Sequence, residues 1–355
     1  MRRIGVDERR ARLALRQHLA TTAPASDPVA AARGVVALHA TDPATVFLSV
    51  QARAPSAEAA DIERALYDER TLLRMLGMRR TMFVVPTDVA PVVQASSTDA
   101  IATRQWRTYT QLIERGGVGD RAWFEDVVES TAHALAARGE ATAAELSADE
   151  PRLRTKLLLA EGKAYAAQQN ITTWVLFLLA AEGRIVRGRP RGTWTSSQYM
   201  WSPAERWLPS GRPEEPVEAA RVELVRRWLA AFGPGTVADL TWWTGWTLGQ
   251  VKLALADIEP VEVDLDGTTA LVLSDDAEET AAPDPWVALL PALDPTPMGW
   301  SERSWYLGDH APTLFDRSGN VGPTVWSDGR IVGGWAQRAD GEVVYRLLED
   351  VGAEA

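Results

Sequence analysis

Three residues with hydrogen-bonding side chains, His39, Thr41 and Asp42, stand at the end of an apolar stretch containing Val35, Val36 and Leu38. Pro43 follows, and apolar residues resume at Val46, Phe47 and Leu48. The spacing predicts a buried helix over 27–40 that Pro43 terminates. A core has no need of such a trio, because an unpaired polar group is costly to bury. It is therefore either a solvated helix end or a site, and histidine is the side chain whose charge changes near neutral pH.

Arginine supplies the second chemical signal. Lys156, Lys163 and Lys252 are the only lysines among 37 basic residues, and arginine is the better bidentate partner for phosphate and guanine. Arg74, Arg79 and Arg80 fall in "TLLRMLGMRRTMFVVP", which reads as a hairpin. Arg184, Arg187, Arg189 and Arg191 fall in "GRIVRGRPRGTW", the densest basic run, kept open by Pro190 and its glycines. Each group is either a set of phosphate contacts or a solvated hairpin edge. Among 15 tryptophans, Trp242 and Trp243 read as core, while Trp246, beside Gly245, is open between packing and base stacking. Asp294 and Arg303, in "LDPTPMGWSER", either close the C-terminal part against the first site or pair with each other.

Composition bounds the rest. With 355 residues, 46% hydrophobic and 24% charged, the chain is long enough for two to four globular domains. The absence of cysteine excludes disulfides and thiolate chemistry, and four scattered histidines argue against zinc. No Walker loop, dinucleotide fingerprint or metal-spaced cluster appears, so no cofactor and no metal are expected. A charged N-terminus and the lack of a long apolar run predict a cytoplasmic protein with no membrane partner. A net charge of −11 excludes a simple nucleic-acid coat but allows a local basic stripe.

The elements that must position these residues repeat. "GEATAAEL" (139–146) and "GPGTVADL" (233–240) share Gly-x-x-Thr-x-Ala-acid-Leu, each after a long amphipathic stretch and before another helical run. Strand pairs follow: "RIVRG" with "GTWTSSQYMW", and "VEVDLDGTTALVLS" turning at Asp-Gly. Helix, capped helix, helix, hairpin is the order of a winged helix. Residues 1–116 fit it more loosely, with helices expected at 7–20, 27–40 and 56–68. Residues 209–216, "PSGRPEEP", read as a linker, and residues 279–355 as short strands of a small β-barrel. The expected fold is α+β, mainly α, with units at 1–116, 117–210 and 211–278 before that barrel.

"HATDPATVFLSVQAR", "MRRTMFVVP", "GPGTVADLTWWTGW", "LLPALDPTPMGWSER" and "DGRIVGGW" together resemble the AlkZ-like (YcaQ-type) winged-helix DNA glycosylases almost end to end. The resemblance implies three tandem winged helices and a C-terminal β-barrel in a C shape around DNA. It implies a monofunctional, cofactor-free enzyme that acts as a monomer on double-stranded DNA carrying alkylated bases. Bulky N7-alkylguanines and interstrand crosslinks would be its substrates, in repair or in self-resistance to a DNA-alkylating natural product. It places the downstream family arginine on Arg53, and the two family glutamines on His39 and Thr41, with Asp42 next. A neutral His39 can accept a water proton, Thr41 can orient that water, and Asp42 can stabilise a cationic sugar or fix the imidazole tautomer. The change from glutamine also admits a lesion-binding protein that no longer cleaves, and winged helices alone admit a DNA-binding regulator.

Overall fold

The duplicated glycine–threonine signature folds the same way twice in the computed structural model, which describes residues 1–159, 167–208, 211 and 213–352. In the first copy Gly139, at φ 82°, ends one helix, and Thr142 caps the next by exchanging hydrogen bonds with Glu145. In the second, Thr236 and Asp239 exchange the same pair. Each reciprocal box satisfies two donors that a helix start otherwise leaves unpaired.

In chain order, β1 (Arg2–Arg3), α1 (Val6–Arg16), α2 (Pro28–Arg33), β2 (Leu38–His39), α3 (Pro43–Arg53), α4 (Ala59–Glu63), β3 (Leu72–Leu76), β4 (Met82–Pro86), α5 (Ala90–Val93) and α6 (Asp99–Arg115) open the molecule. Then come α7 (Arg121–Arg138), α8 (Ala143–Asp149), β5 (Lys156–Leu159), β6 (Ala167–Asn170), α9 (Thr172–Ala181), β7 (Ile185–Pro190), β8 (Tyr199–Pro203) and α10 (Ala204–Trp207). The third stretch is α11 (Val217–Phe232), α12 (Val237–Thr244), α13 (Leu248–Ile258), β9 (Val261–Leu265) and β10 (Thr268–Val272). Strands β11 (Val287–Leu290), β12 (Thr324–Ser327), β13 (Arg330–Gln337) and β14 (Val343–Leu347) close it. Helix, capped helix, helix and hairpin thus recur as α7, α8, α9, β7–β8 and as α11, α12, α13, β9–β10. In the first copy the β5–β6 pair intervenes. Of the expected linker, residues 209, 210 and 212 lie outside the described residues.

Three expectations change. The helix over 27–40 stops at Arg33, and the chain runs on as β2, where Leu38 pairs with Val84 and His39 with Phe83. Gly34 permits this bend: a Cβ there would sit 2.6 Å from the His18 ring. Val35 and Val36 lie in the turn that follows, Val36 at φ 64°, and pairing begins only at Leu38. Pro43 begins a helix rather than ending one. Its fixed φ suits a first turn, and Asp42 Oδ1 accepts the Ala44 N–H at 3.0 Å. The C-terminal strands do not close a barrel: β11-β12-β13-β14 form an open antiparallel sheet, since four strands are too few to curl round a filled interior.

Among the described residues, α6–α9 and the hairpin β7–β8 supply most of one core, around Phe124, Trp174 and Leu178. The first and third stretches and the C-terminal sheet share another, around Val46, Trp228, Tyr306 and Trp326. His39 lies against this shared core. No helix described is long and apolar enough to cross a membrane.

Candidate active site

Strand β2 carries His39 inward, its ring centroid 4.9 Å from that of Phe83. The side chain is 5% exposed and its Nδ1 is buried with no hydrogen-bond partner among the described residues. Burial, reinforced by the Arg79 cation and only partly opposed by Asp294, pushes its pKa down to about 4. The imidazole is therefore neutral at pH 7. Thr41 and Asp42 lie just beyond, exposed on the turn into α3, with Asp42 serving as the helix cap. One buried neutral ring and two solvent-facing oxygen side chains are what this corner of the fold presents.

A buried ion pair anchors α3 beneath it. Arg53 and Asp294 are both fully buried; Nη2 meets Oδ1 at 2.7 Å and Nη1 meets Oδ2 at 2.9 Å. The same guanidinium donates to Ser49 O and Thr296 Oγ1, and Ser49 Oγ donates to Asp294. Burial pushes the Asp294 carboxyl up, but Arg53 and these hydrogen bonds outweigh it and hold it below its ordinary value. Thr296 Oγ1 donates onward to Gln17 Oε1, and Gln17 Nε2 donates to Ala231 O. One network thus ties α3, the 291–296 loop, α1 and α11 together. Arg53 is therefore no DNA contact: its charge is consumed 0% exposed. Asp294 and Arg303 are not partners either. Sequence reasoning misses Ser49, Thr296 and Gln17; only the helical i, i+4 spacing of Ser49 and Arg53 is a signal, and it points to Ser49 alone.

Arg74 is likewise no hairpin-edge cation. It is 3% exposed, donates from Nη1 to Ala40 O at 2.7 Å and stacks over Tyr199 at 4.8 Å. It pins the peptide between His39 and Thr41 from below. Arg187 also lies against Tyr199 and Trp201, at 5.4 and 5.1 Å. From the same hairpin, Trp194 reaches Phe47 of α3 at 4.8 Å. The second hairpin is thereby built against the first site.

The other basic residues divide by partner. Arg184 pairs with Glu129 at 2.5 Å, Arg189 with Glu63 at 2.7 Å and Asp68 at 3.0 Å, and Arg191 with Glu145 at 2.7 Å. A DNA phosphate would have to displace those carboxylates. Arg79 and Arg303 have no carboxylate partner among the described residues, and they lie over Trp242 at 4.2 and 4.8 Å. Arg79 and Arg80 occupy the β3–β4 turn at φ 52° and 62°, with Arg80 exposed. Trp246 is 9% exposed and donates to Ser97 Oγ at 3.1 Å, which removes it from base stacking. Trp242, read as core, packs partly buried against it and also presents its ring to two cations.

The model of the "DNA glycosylase AlkZ-like" family matches residues 32–355. An interstrand DNA cross-link repair glycosylase of Streptomyces sahachiroi is 30% identical over 190 residues. That alignment spans about half of each chain, 50% of this one and 49% of the relative. The solved structure of Streptomyces sahachiroi DNA glycosylase AlkZ superposes with a TM-score of 0.77 at 20% identity, covering 99% of this chain and 92% of that one; at that identity the likeness speaks for the fold. With nine-tenths of its length inside the family match, the chain belongs to the AlkZ-like DNA glycosylase family.

Proposed function

We propose that the chain is a monofunctional DNA glycosylase that hydrolyses the N-glycosidic bond of bulky alkylated purines of the N7-alkylguanine type, and that it unhooks interstrand crosslinks. The observation that carries this is the neutral, partnerless imidazole of His39 beside exposed Thr41 and Asp42. N7-alkylation leaves the base cationic, so the C1′–N9 electron pair departs with the base and cancels its charge. What the protein must supply is a placed water and a negative group for the sugar. His39 and Thr41 hold the water, whose oxygen bonds to C1′ while its proton passes to His39 or solvent. Asp42 stabilises the positive charge developing on the sugar. The products are the free alkylated base and an abasic sugar.

The three helical units at 1–116, 117–210 and 211–278 are read as winged helices, followed by the C-terminal domain at 279–355, all acting as a monomer on double-stranded DNA. Arg79 and Arg80 would meet phosphate first, with Arg184, Arg189 and Arg191 joining only by releasing their carboxylates. The cellular role is repair or self-resistance to an alkylating natural product.

One observation favours a second reading. A pKa near 4 makes His39 a weak base, which suits a protein that binds lesions and cleaves slowly or not at all. Incubating the protein with duplex carrying N7-methylguanine, then measuring free base and abasic sites, separates the two. Stoichiometric binding without base release would establish the second reading and end the first.

A further inference from the structure

A cluster of cations gathers around the β3–β4 turn. Arg79, Arg80, Arg104 and Arg221 line one cavity of about 290 Å³, with Gln105 and the edge of Trp246. Its walls come from the turn, from α6, from α11 and from the junction of α12 with α13. Among the described residues no carboxylate lines it, and none of the four guanidiniums makes an ion pair. The Nε atoms of Arg79 and Arg221 are buried there without any hydrogen-bond partner. Leaving such donors unpaired is costly, and four uncompensated cations repel one another across a single cavity. The first turn of α13 also faces it through Gln250, so the positive end of that helix adds to the field. Gly245, at φ 72°, permits the close fit: a Cβ there would lie 2.9 Å from Arg79 Cγ.

We infer that this cavity is an anion seat, and that its occupant is a phosphodiester of the DNA strand bound at the His39 site. Arg79 links the two places, since it lines the cavity and its cation also bears on His39. This inference rests on the DNA reading above, with an occupant whose oxygens pair with a fork of guanidiniums.

The test uses lesion-free duplex and fluorescence anisotropy across about 50 to 200 mM salt. Arg104→Ala/Arg221→Ala should weaken binding roughly tenfold or more and lower the log–log salt slope by about 0.9, one phosphate's worth. Arg104→Lys/Arg221→Lys, which keeps the charge, should restore most of the slope. Arg104→Gln alone, on the exposed side of α6, gives the same reading if the double variant melts early. An unchanged slope would overturn the inference. Inorganic phosphate titrated at low salt distinguishes the other source. If it raises the melting temperature of the parent alone while the DNA slope is equal in both proteins, the seat holds a free phosphorylated molecule and not a strand. A lowered slope in a protein that releases no base would keep the seat and sink the glycosylase reading; base release with an unchanged slope would do the reverse.

Discussion

Replacing Arg53 by methionine removes one guanidinium from a fully buried site. The lost contacts are two hydrogen bonds to Asp294, at 2.7 and 2.9 Å, one to Ser49 O at 2.8 Å and one to Thr296 Oγ1 at 2.7 Å. Asp294 keeps only Ser49 Oγ at 2.6 Å and the Thr296 N–H at 2.9 Å. A buried carboxylate stripped of its cation typically costs 3–5 kcal/mol, so the expected loss is about 4 kcal/mol at pH 7. The pH dependence carries the mechanism. In the parent, Arg53 holds the Asp294 pKa below its ordinary value, so the pair's contribution is present above that value and fades as pH falls through the folded pKa. In the variant burial is opposed only by the Ser49 and Thr296 hydrogen bonds, so the pKa rises and protonation as pH falls relieves the unpaired charge. The gap between parent and Arg53→Met should therefore narrow as pH falls. Urea unfolding followed by tryptophan fluorescence reads this, because Trp300 and Trp326 lie in the same core. Arg53→Met/Asp294→Asn should recover part of the loss. A deficit below about 1 kcal/mol, or one that does not vary with pH, would refute the clamp.

Asp42→Ala should cost about 1 kcal/mol of stability through the lost cap, whereas Asp42→Asn should cost a few tenths; comparable losses in thermal melts would mean that the cap is unimportant. If Asp42 also stabilises the sugar cation, Asp42→Asn should slow excision although it folds normally. With His39 at a pKa of about 4, the excision rate should stay level down to about pH 5 and fall only as pH nears 4; a midpoint near 6.5 in a pH–rate profile would contradict the burial. The same shift means that the folded protein binds fewer protons than the unfolded chain between about 4 and 6.5. Stability should thus decline as pH drops through that window, by on the order of 3 kcal/mol, and His39→Gln should flatten the decline in urea midpoints. Arg184→Ala/Arg191→Ala should change the DNA salt slope by less than about half a unit, because both arginines are already paired on the surface; a fall near two would show that they exchange glutamate for phosphate.

Periodic and local features were legible in the sequence. Thr142 with Glu145, and Thr236 with Asp239, announce capped helices because the box spans four residues, and the Asp-Gly between β9 and β10 announces its turn. The stretch around His39 misled for a physical reason. Val35, Val36 and Leu38 suit a buried helix or a buried strand alike, and what decides is Phe83 and Val84 of β4, some 45 positions away. Arginine was misjudged for a related reason. Arg53 and Arg74 look like surface cations until Asp294 and the Ala40 carbonyl, remote in the chain, arrive to bury them. The carboxylates answering Arg189 come from α4 and the π-helical turn that continues it, which no local pattern reveals.

The central claim is that His39 positions the water that cleaves the glycosidic bond, and single-turnover release of free base from duplex bearing N7-methylguanine tests it most directly. With protein in excess, His39→Ala should slow release by roughly 100-fold or more while its affinity for the same duplex stays within a factor of about three. Equal rates for His39→Ala and the parent would contradict the account and move the search for the water ligand to Asp42.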